Sequence, residues 1–236
     1  MDNLLLKYMN ERIMHATRKV VEPGPVITIS RECGCSASIL AEKLTSRINE
    51  KLNNHESNWR WVNKEILKLA SDELKIHQDE VKKIADSGEK NFLDEIVYSF
   101  TEKYYVTNLK AKKIIEEVVR NLAVRGRVVI VGRGSEILSH GIPRALHVRL
   151  YAPLDWKIKA MCERSTISES ESKKIVLQVD KQRSDFRDSY LEKNQPPFAY
   201  DIQFNCARLS HDEIIEIILS LAQRRSIFEW EFHTVK

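Results

Sequence analysis

The chain has 236 residues, 42% hydrophobic and 31% charged, enough to bury the core of one large domain or of one domain with an inserted lid. Its 38 basic and 34 acidic residues leave a net charge of +4 spread along the sequence, which suits small anionic ligands better than a long polyanion. No stretch approaches the roughly 20 apolar residues of a membrane span, and "MDNLLLKYMNERIM" lacks the basic start and long apolar run of a secretion signal, so the expected setting is cytoplasmic.

Leu6, Met9, Ile13, Ala16 and Val20 recur at helical steps, so residues 1–22 are expected to form an amphipathic helix outside the main domain. Its apolar stripe needs cover, from the body or from a second copy, and a homodimer is one assembly this allows. "EPGP", Glu22 to Pro25, ends it, because two prolines and a glycine cannot continue a helix. A strand is then expected at Val26 to Ile29, a helix from about Ser38 to Leu52, and a short aromatic strand at Trp59 to Val62.

Helices fill most of Lys64 to Ala123. "VVIVG", Val128 to Gly132, is a continuous apolar run closed by glycine, the pattern of a parallel strand covered on both faces. In the next strand, Ala145 to Leu150, Leu146, Val148 and Leu150 alternate with His147 and Arg149, which predicts a face that is half-exposed or functional. A helix around Leu154 to Arg164, a long charged helix, a strand at Asp201 to Cys206 and the helix "HDEIIEIILSLAQRR" complete a domain over 23–224. The tail 225–236 carries Ile227, Phe228, Trp230 and Phe232, which should pack on the body or in a dimer contact.

Such alternation favours a parallel sheet with helices on both sides and ligands beyond the C-terminal strand ends. Four features gather there. The turn Arg31 to Ser38, "RECGCSAS", fails the glycine-rich phosphate-loop pattern G-x-x-x-x-G-K-[ST], since Arg31 and Ser36 replace the glycines, Ala37 replaces the lysine, and only Ser38 fits. Yet Gly34, Cys35, Ser36, Ala37 and Ser38 are compact enough to turn backbone amides and a helix start towards an anion; an ordinary turn capped by Ser36 or Ser38 reads equally well.

"VGRGSEIL" places Arg133 between Gly132 and Gly134, where a guanidinium can fork onto a phosphate or stand solvated on a turn. "WVNKEIL" presents Asn63, Lys64 and Glu65 as a strand becomes a helix, as site residues or mere caps. Arg164, with Arg183 and Arg187 four apart on one helical face, could close over an anion or serve solubility alone. Of the four cysteines only Cys33 and Cys35 are close in sequence and no second pair completes a zinc spacing, so reduced thiols and no metal site are expected.

Taken in order, "ITISRE", "WVNKEIL", "ASDELKIHQDEV", "VVIVGRG", "HVRLYAP" and "DKQRSDFRDSY" resemble the cytidylate kinase-like family, relatives of bacterial CMP kinase among the P-loop nucleotide kinases, from about Val26 to Ala222. The resemblance implies an α/β, three-layer P-loop NTPase-type fold with a five-stranded parallel sheet, a helical NMP-binding insertion (64–123) and a helical lid (165–197). It implies ATP and magnesium (Mg2+) as donor and a nucleoside monophosphate, CMP or dCMP, as acceptor. Carried over by position, Arg31 and Gly34 to Ser38 hold donor phosphates, Asn63, Lys64 and Arg133 bind the acceptor, and Arg133, Arg164, Arg183 and Arg187 stabilise charge in transfer.

The sequence departs from the family pattern where "GCSAS" replaces a loop resembling "GSGGR", where Asn63 stands for an aspartate, and where Gly134 stands for the carboxylate of "GRD". One reading is therefore a working nucleoside monophosphate kinase. Another is a catalytically degraded pseudo-kinase kept as a nucleotide sensor or assembly partner. Nucleic-acid binding through the lid helix and "AQRRS" is a third, against which the balanced charge argues, so neither nucleic acid nor membrane is the expected partner.

Overall fold

The computed structural model describes residues 23–52, 58–63, 109–165, 167–191 and 196–228. The sequence-predicted N-terminal helix, residues 64–108 of the helical insertion, and Trp230 and Phe232 of the tail lie outside them.

Strand β1 (Val26–Arg31) leads into helix α1 (Ala37–Leu52), followed by β2 (Arg60–Val62), α2 (Leu109–Arg125), β3 (Val128–Val131) and the short α3 (Ser135–Leu138). Strand β4 (Ala145–Tyr151), helices α4 (Leu154–Arg164) and α5 (Glu169–Asp188), β5 (Ile202–Asn205) and α6 (His211–Arg224) complete the order. All strand pairs are parallel, in the order β2-β3-β1-β4-β5. The chain leaves β1 towards the β2 edge and crosses back over β1 from β3 to β4, which puts the reversal of winding beside β1.

The two-residue period of the strands divides the core into two layers. Ile27, Ile29, Val129, Val131, Leu146, Val148 and Leu150 face one side, where α1 supplies Leu40, Leu44 and Ile48 and α6 supplies Ile214, Ile218 and Leu219. Val26, Val128, Ile130 and Ala145 face the other, against Ile115, Val119 and Leu122 of α2. Both layers being covered explains why β3 reads as an unbroken apolar run. Truncating any of the fully buried leucines, Leu44 for example, would cost about 2–5 kcal/mol.

Two helices start where the sequence tells them to. Ser168 caps α5 and Ser210 caps α6, each accepting from the amide three residues on, while Glu171 and Glu213 reach back to the cap amide. Ile227 and Phe228 of the tail are buried against the α1 and α6 layer, and Phe228 meets Trp59 edge to face at 5.9 Å.

The expected half-exposed face of β4 is not found at His147, which is only 5% exposed. The segment before β5 covers it: Phe198 stands edge-on to both His147 and His140, at 5.3 Å from each. His147 Nδ1 is 2.8 Å from Thr28 Oγ1 on the neighbouring strand, and its amide donates to Asp201 Oδ2 at 2.7 Å. Alternation showed that His147 points away from the leucines, but a cover arriving from 50 residues downstream leaves no local trace.

Candidate functional site

Beyond Arg31 the chain turns through Glu32 to Ser36 into α1. Gly34 takes φ +81°, a left-handed conformation that a side chain would resist, and it lies over the backbone of Lys157. The Cys35 and Ala37 side chains go into the core, so these positions face the loop only through their backbone. A hydrogen bond with Cys206, then burial, push the Cys35 thiol up from its ordinary pKa. The Cys35 amide donates to the Glu32 carbonyl at 3.4 Å.

The Cys33 amide donates to Asp180 Oδ1 of α5 at 2.6 Å, and Asp180 Oδ2 accepts from Lys157 Nζ of α4 at 2.7 Å. Lys157 also donates to Glu32 Oε2 at 2.9 Å. Glu32 in turn accepts from Arg149 at 3.0 Å and from the Ala152 amide at 3.3 Å. Burial works against the charge on Glu32, but Lys157 and Arg149 outweigh it and hold its carboxyl below the usual range. Burial likewise opposes the charge on Lys157, but Asp180 and Glu32 outweigh it and raise its pKa. Arg164 donates to the Gly34 carbonyl at 3.0 Å, and Asn63 Nδ2 donates to Ser38 Oγ at 3.1 Å.

Beside this turn, past the ends of β1 and β3, lies a cavity of about 160 Å3 whose lining includes Arg31, Arg133, Arg149, Arg183, Arg187 and Glu136. Arg133 is 1% exposed and sits at φ +63°, between two glycines that are also left-handed. Close approach explains both glycines. A methyl on Gly132 would run into the Arg31 guanidinium, and one on Gly134 would come within 2.7 Å of the Tyr190 ring. The Tyr200 hydroxyl lies 3.0 Å from Glu136 Oε1 and 3.1 Å from Ser30 Oγ. Burial and the Glu136 carboxylate push that phenol up to about 12, so it stays a neutral donor to Glu136.

Arg187 donates to Asp188 at 3.1 Å and to Ser184 Oγ at 2.7 Å. Burial opposes its charge, and the neighbouring Tyr200, Asp188 and Glu136 outweigh burial and raise its pKa. Such a cavity can hold and orient a small multivalent anion by forked, charge-assisted hydrogen bonds.

The structure thus brings Arg31, Arg133, Arg183 and Arg187 of the sequence-predicted set to one cavity, and Arg164, Gly34, Cys35, Ser36, Ala37 and Ser38 to the adjoining turn. Asn63 stands at the start of that turn's helix, against Ser38, and Lys64 lies outside the described residues. Sequence reasoning singled out Arg149 only as part of the polar face of β4, and it missed Glu32, Glu136, Lys157 and Asp180. Glu32 could have been found as the charged residue directly after a buried strand; Lys157 and Asp180 sit among other charges on their helices and carry no such mark.

Residues 26–208 match the cytidylate kinase-like family. The chain belongs to that family. Its sheet and flanking helices are the α/β, three-layer architecture expected of a P-loop kinase relative. Among solved structures, an uncharacterized protein from Eubacterium ventriosum is similar with a TM-score of 0.58 at 19% identity, over 84% of this chain and 98% of its own. A shikimate kinase from Bacteroides thetaiotaomicron is similar with a TM-score of 0.44 at 14% identity, over 84% of this chain and 96% of its own. No curated protein matches the chain.

Proposed function

We propose that this cytidylate kinase-like chain is a small-molecule phosphotransferase of the nucleoside monophosphate kinase type, with magnesium–ATP as donor and CMP, dCMP or a similar monophosphate as acceptor. The observation that carries the reading is the convergence of Arg31, Arg133, Arg149, Arg183 and Arg187 on one cavity at the C-terminal edge of a parallel sheet. Phosphoryl transfer asks for positioning and for cancellation of charge on the moving group, and guanidinium groups held by a rigid scaffold provide both. On this reading Arg133, Arg183 and Arg187 hold the acceptor phosphate and the developing charge, and Arg164 steadies the loop through the Gly34 carbonyl.

The residues of the first turn fit a donor phosphate, because the Cys33 amide and the Lys157 ammonium already converge on one anionic group, the Asp180 carboxylate. Magnesium–ATP supplies the transferable phosphoryl group when bound. Among the described residues no helix is long and apolar enough to cross a membrane, and the working form on this reading is cytoplasmic, with a homodimer to be sought by light scattering. The test is ADP release measured across the common nucleoside monophosphates. Turnover is expected with a cytidine nucleotide, and none with any acceptor would overturn the reading.

A second reading, a pseudo-kinase that binds nucleotide without transferring phosphate, is favoured by the same carboxylate seated on the loop and by the missing loop lysine. Calorimetric nucleotide binding without ADP release by the same protein would select it.

A further inference from the structure

The phosphate loop of this chain lacks a lysine of its own, yet a buried ammonium stands over it. Lys157 comes from the first turn of α4, is 8% exposed, and threads its stem between α5 and the loop. A lysine is seldom buried to this degree without a paired anion, because desolvating an ammonium costs several kcal/mol. Here two carboxylates supply that pairing, Glu32 from the loop and Asp180 from α5.

The two carboxylates are placed differently. Glu32 is held from several sides, by Arg149, Lys157 and the Ala152 amide, and belongs to the wall of the turn. Asp180 bridges: one oxygen takes the Cys33 amide and the other takes Lys157 Nζ, both from a single carbon. A phosphoryl group offers the same arrangement, two anionic oxygens on one atom, with more charge and a third oxygen to spare. Asp180 therefore stands where such a group would satisfy the same two donors.

We propose that the Cys33 amide and Lys157 form the donor-phosphate seat, with Lys157 taking the part of the absent loop lysine, and that the Asp180 carboxylate occupies this seat until a nucleotide phosphate replaces it. This rests on the proposed use of the loop for the donor. It makes Asp180 a competitor for the seat and Lys157 a binding residue contributed from outside the loop. When phosphate enters, Lys157 keeps Glu32 as one partner and exchanges Asp180 for a phosphate oxygen, so the ammonium is never left buried without a counter-charge.

The experiment is calorimetric binding of inorganic tripolyphosphate, and of magnesium–ATP, to the full chain and to Asp180→Asn, Lys157→Met and Lys157→Arg. Asp180→Asn keeps the side-chain shape and removes the competing charge, so it should bind tripolyphosphate about tenfold tighter or more, the scale of one charge-assisted contact. Lys157→Met should bind about tenfold weaker, with Lys157→Arg recovering most of the loss. Unchanged or weaker binding by Asp180→Asn would overturn the proposal.

A measurement on the unaltered protein guards against a variant that does not fold. The Cys33 amide resonance in a nitrogen-15 spectrum should shift on adding tripolyphosphate, and a resonance that stays put at saturation would overturn the seat. ADP release by the same proteins separates this inference from the kinase reading. Transfer by the unaltered chain together with unchanged binding by Asp180→Asn sinks the seat alone. Tighter binding by Asp180→Asn with no transfer by any form keeps the seat and sinks the transferase.

Discussion

The turn after β1 and the cavity after β3 are neighbours at one edge of the sheet, and they manage charge in opposite ways. In the turn, cations and carboxylates are matched: Arg149 and Lys157 against Glu32, Lys157 again against Asp180. In the cavity five arginines and the carboxylates Glu32, Glu136 and Asp180 line about 160 Å3; Arg149, Glu32 and Asp180 are shared with the turn, and Arg187 pairs with Asp188. At the first place an incoming anion meets a carboxylate already seated on the donors, whereas at the second guanidinium groups outnumber carboxylates among the described residues that line it. The lesson is that two neighbouring clusters at one sheet edge can differ in charge balance although neither carries a glycine-rich phosphate-loop signature.

Four perturbations would break or sharpen this contrast. The largest effect is expected on the cavity side, where Arg133→Met should lower phosphoryl transfer about a hundredfold to a thousandfold, as loss of one electrostatic stabiliser does. Steady-state ADP release should show the fall with binding of tripolyphosphate nearly unchanged. A matching fall in tripolyphosphate binding would mean that the two places are one site.

The next is a pH effect in β4. Burial pushes His147 down to about 4, against a nearby Asp201 that favours its charge. Between pH 6.5 and 4 the unfolded chain takes up a proton that the folded chain refuses. Stability present above pH 6.5 is therefore lost as the pH falls towards 4, by up to about 3 kcal/mol. Denaturant unfolding at several pH values should show the slope, and His147→Gln should flatten it within that window.

On the turn side, Glu32→Gln removes a charge that Arg149 and Lys157 both use, which should cost about 1.5–3 kcal/mol of stability, the scale of hydrogen bonds to charged groups. Chemical denaturation gives the value, and an unchanged midpoint would show that the matched charges are dispensable. The smallest effect is expected from Ser168→Ala, which uncaps α5 at a cost of about 1 kcal/mol. Amide exchange should quicken in the first turn of α5 while the cavity end of the helix stays protected.

The order of strands and helices was legible because buried parallel strands are written as apolar runs, such as Val128 to Val131, and are closed by glycine or proline. Arg133 was legible from its two glycines, and Arg183 with Arg187 from a four-residue spacing. Asp180 was not, although it lies only three residues before Arg183, because nothing local distinguishes a carboxylate that reaches a loop amide 147 residues away from one that faces water. Lys157 was hidden for a similar reason: its burial is made by α5 and the loop together, and neither is near it in sequence. Positions set by one element could be read in advance. Those set by three meeting elements could not.

Helix α5 carries Asp180, Arg183 and Arg187 at intervals of three and four residues, so a single rigid rod has one hand on the loop and two in the cavity. Sliding or rolling it by a fraction of a turn changes both grips together. The loop and the cavity thus hang on the same lever, and neither can be adjusted without the other feeling the pull.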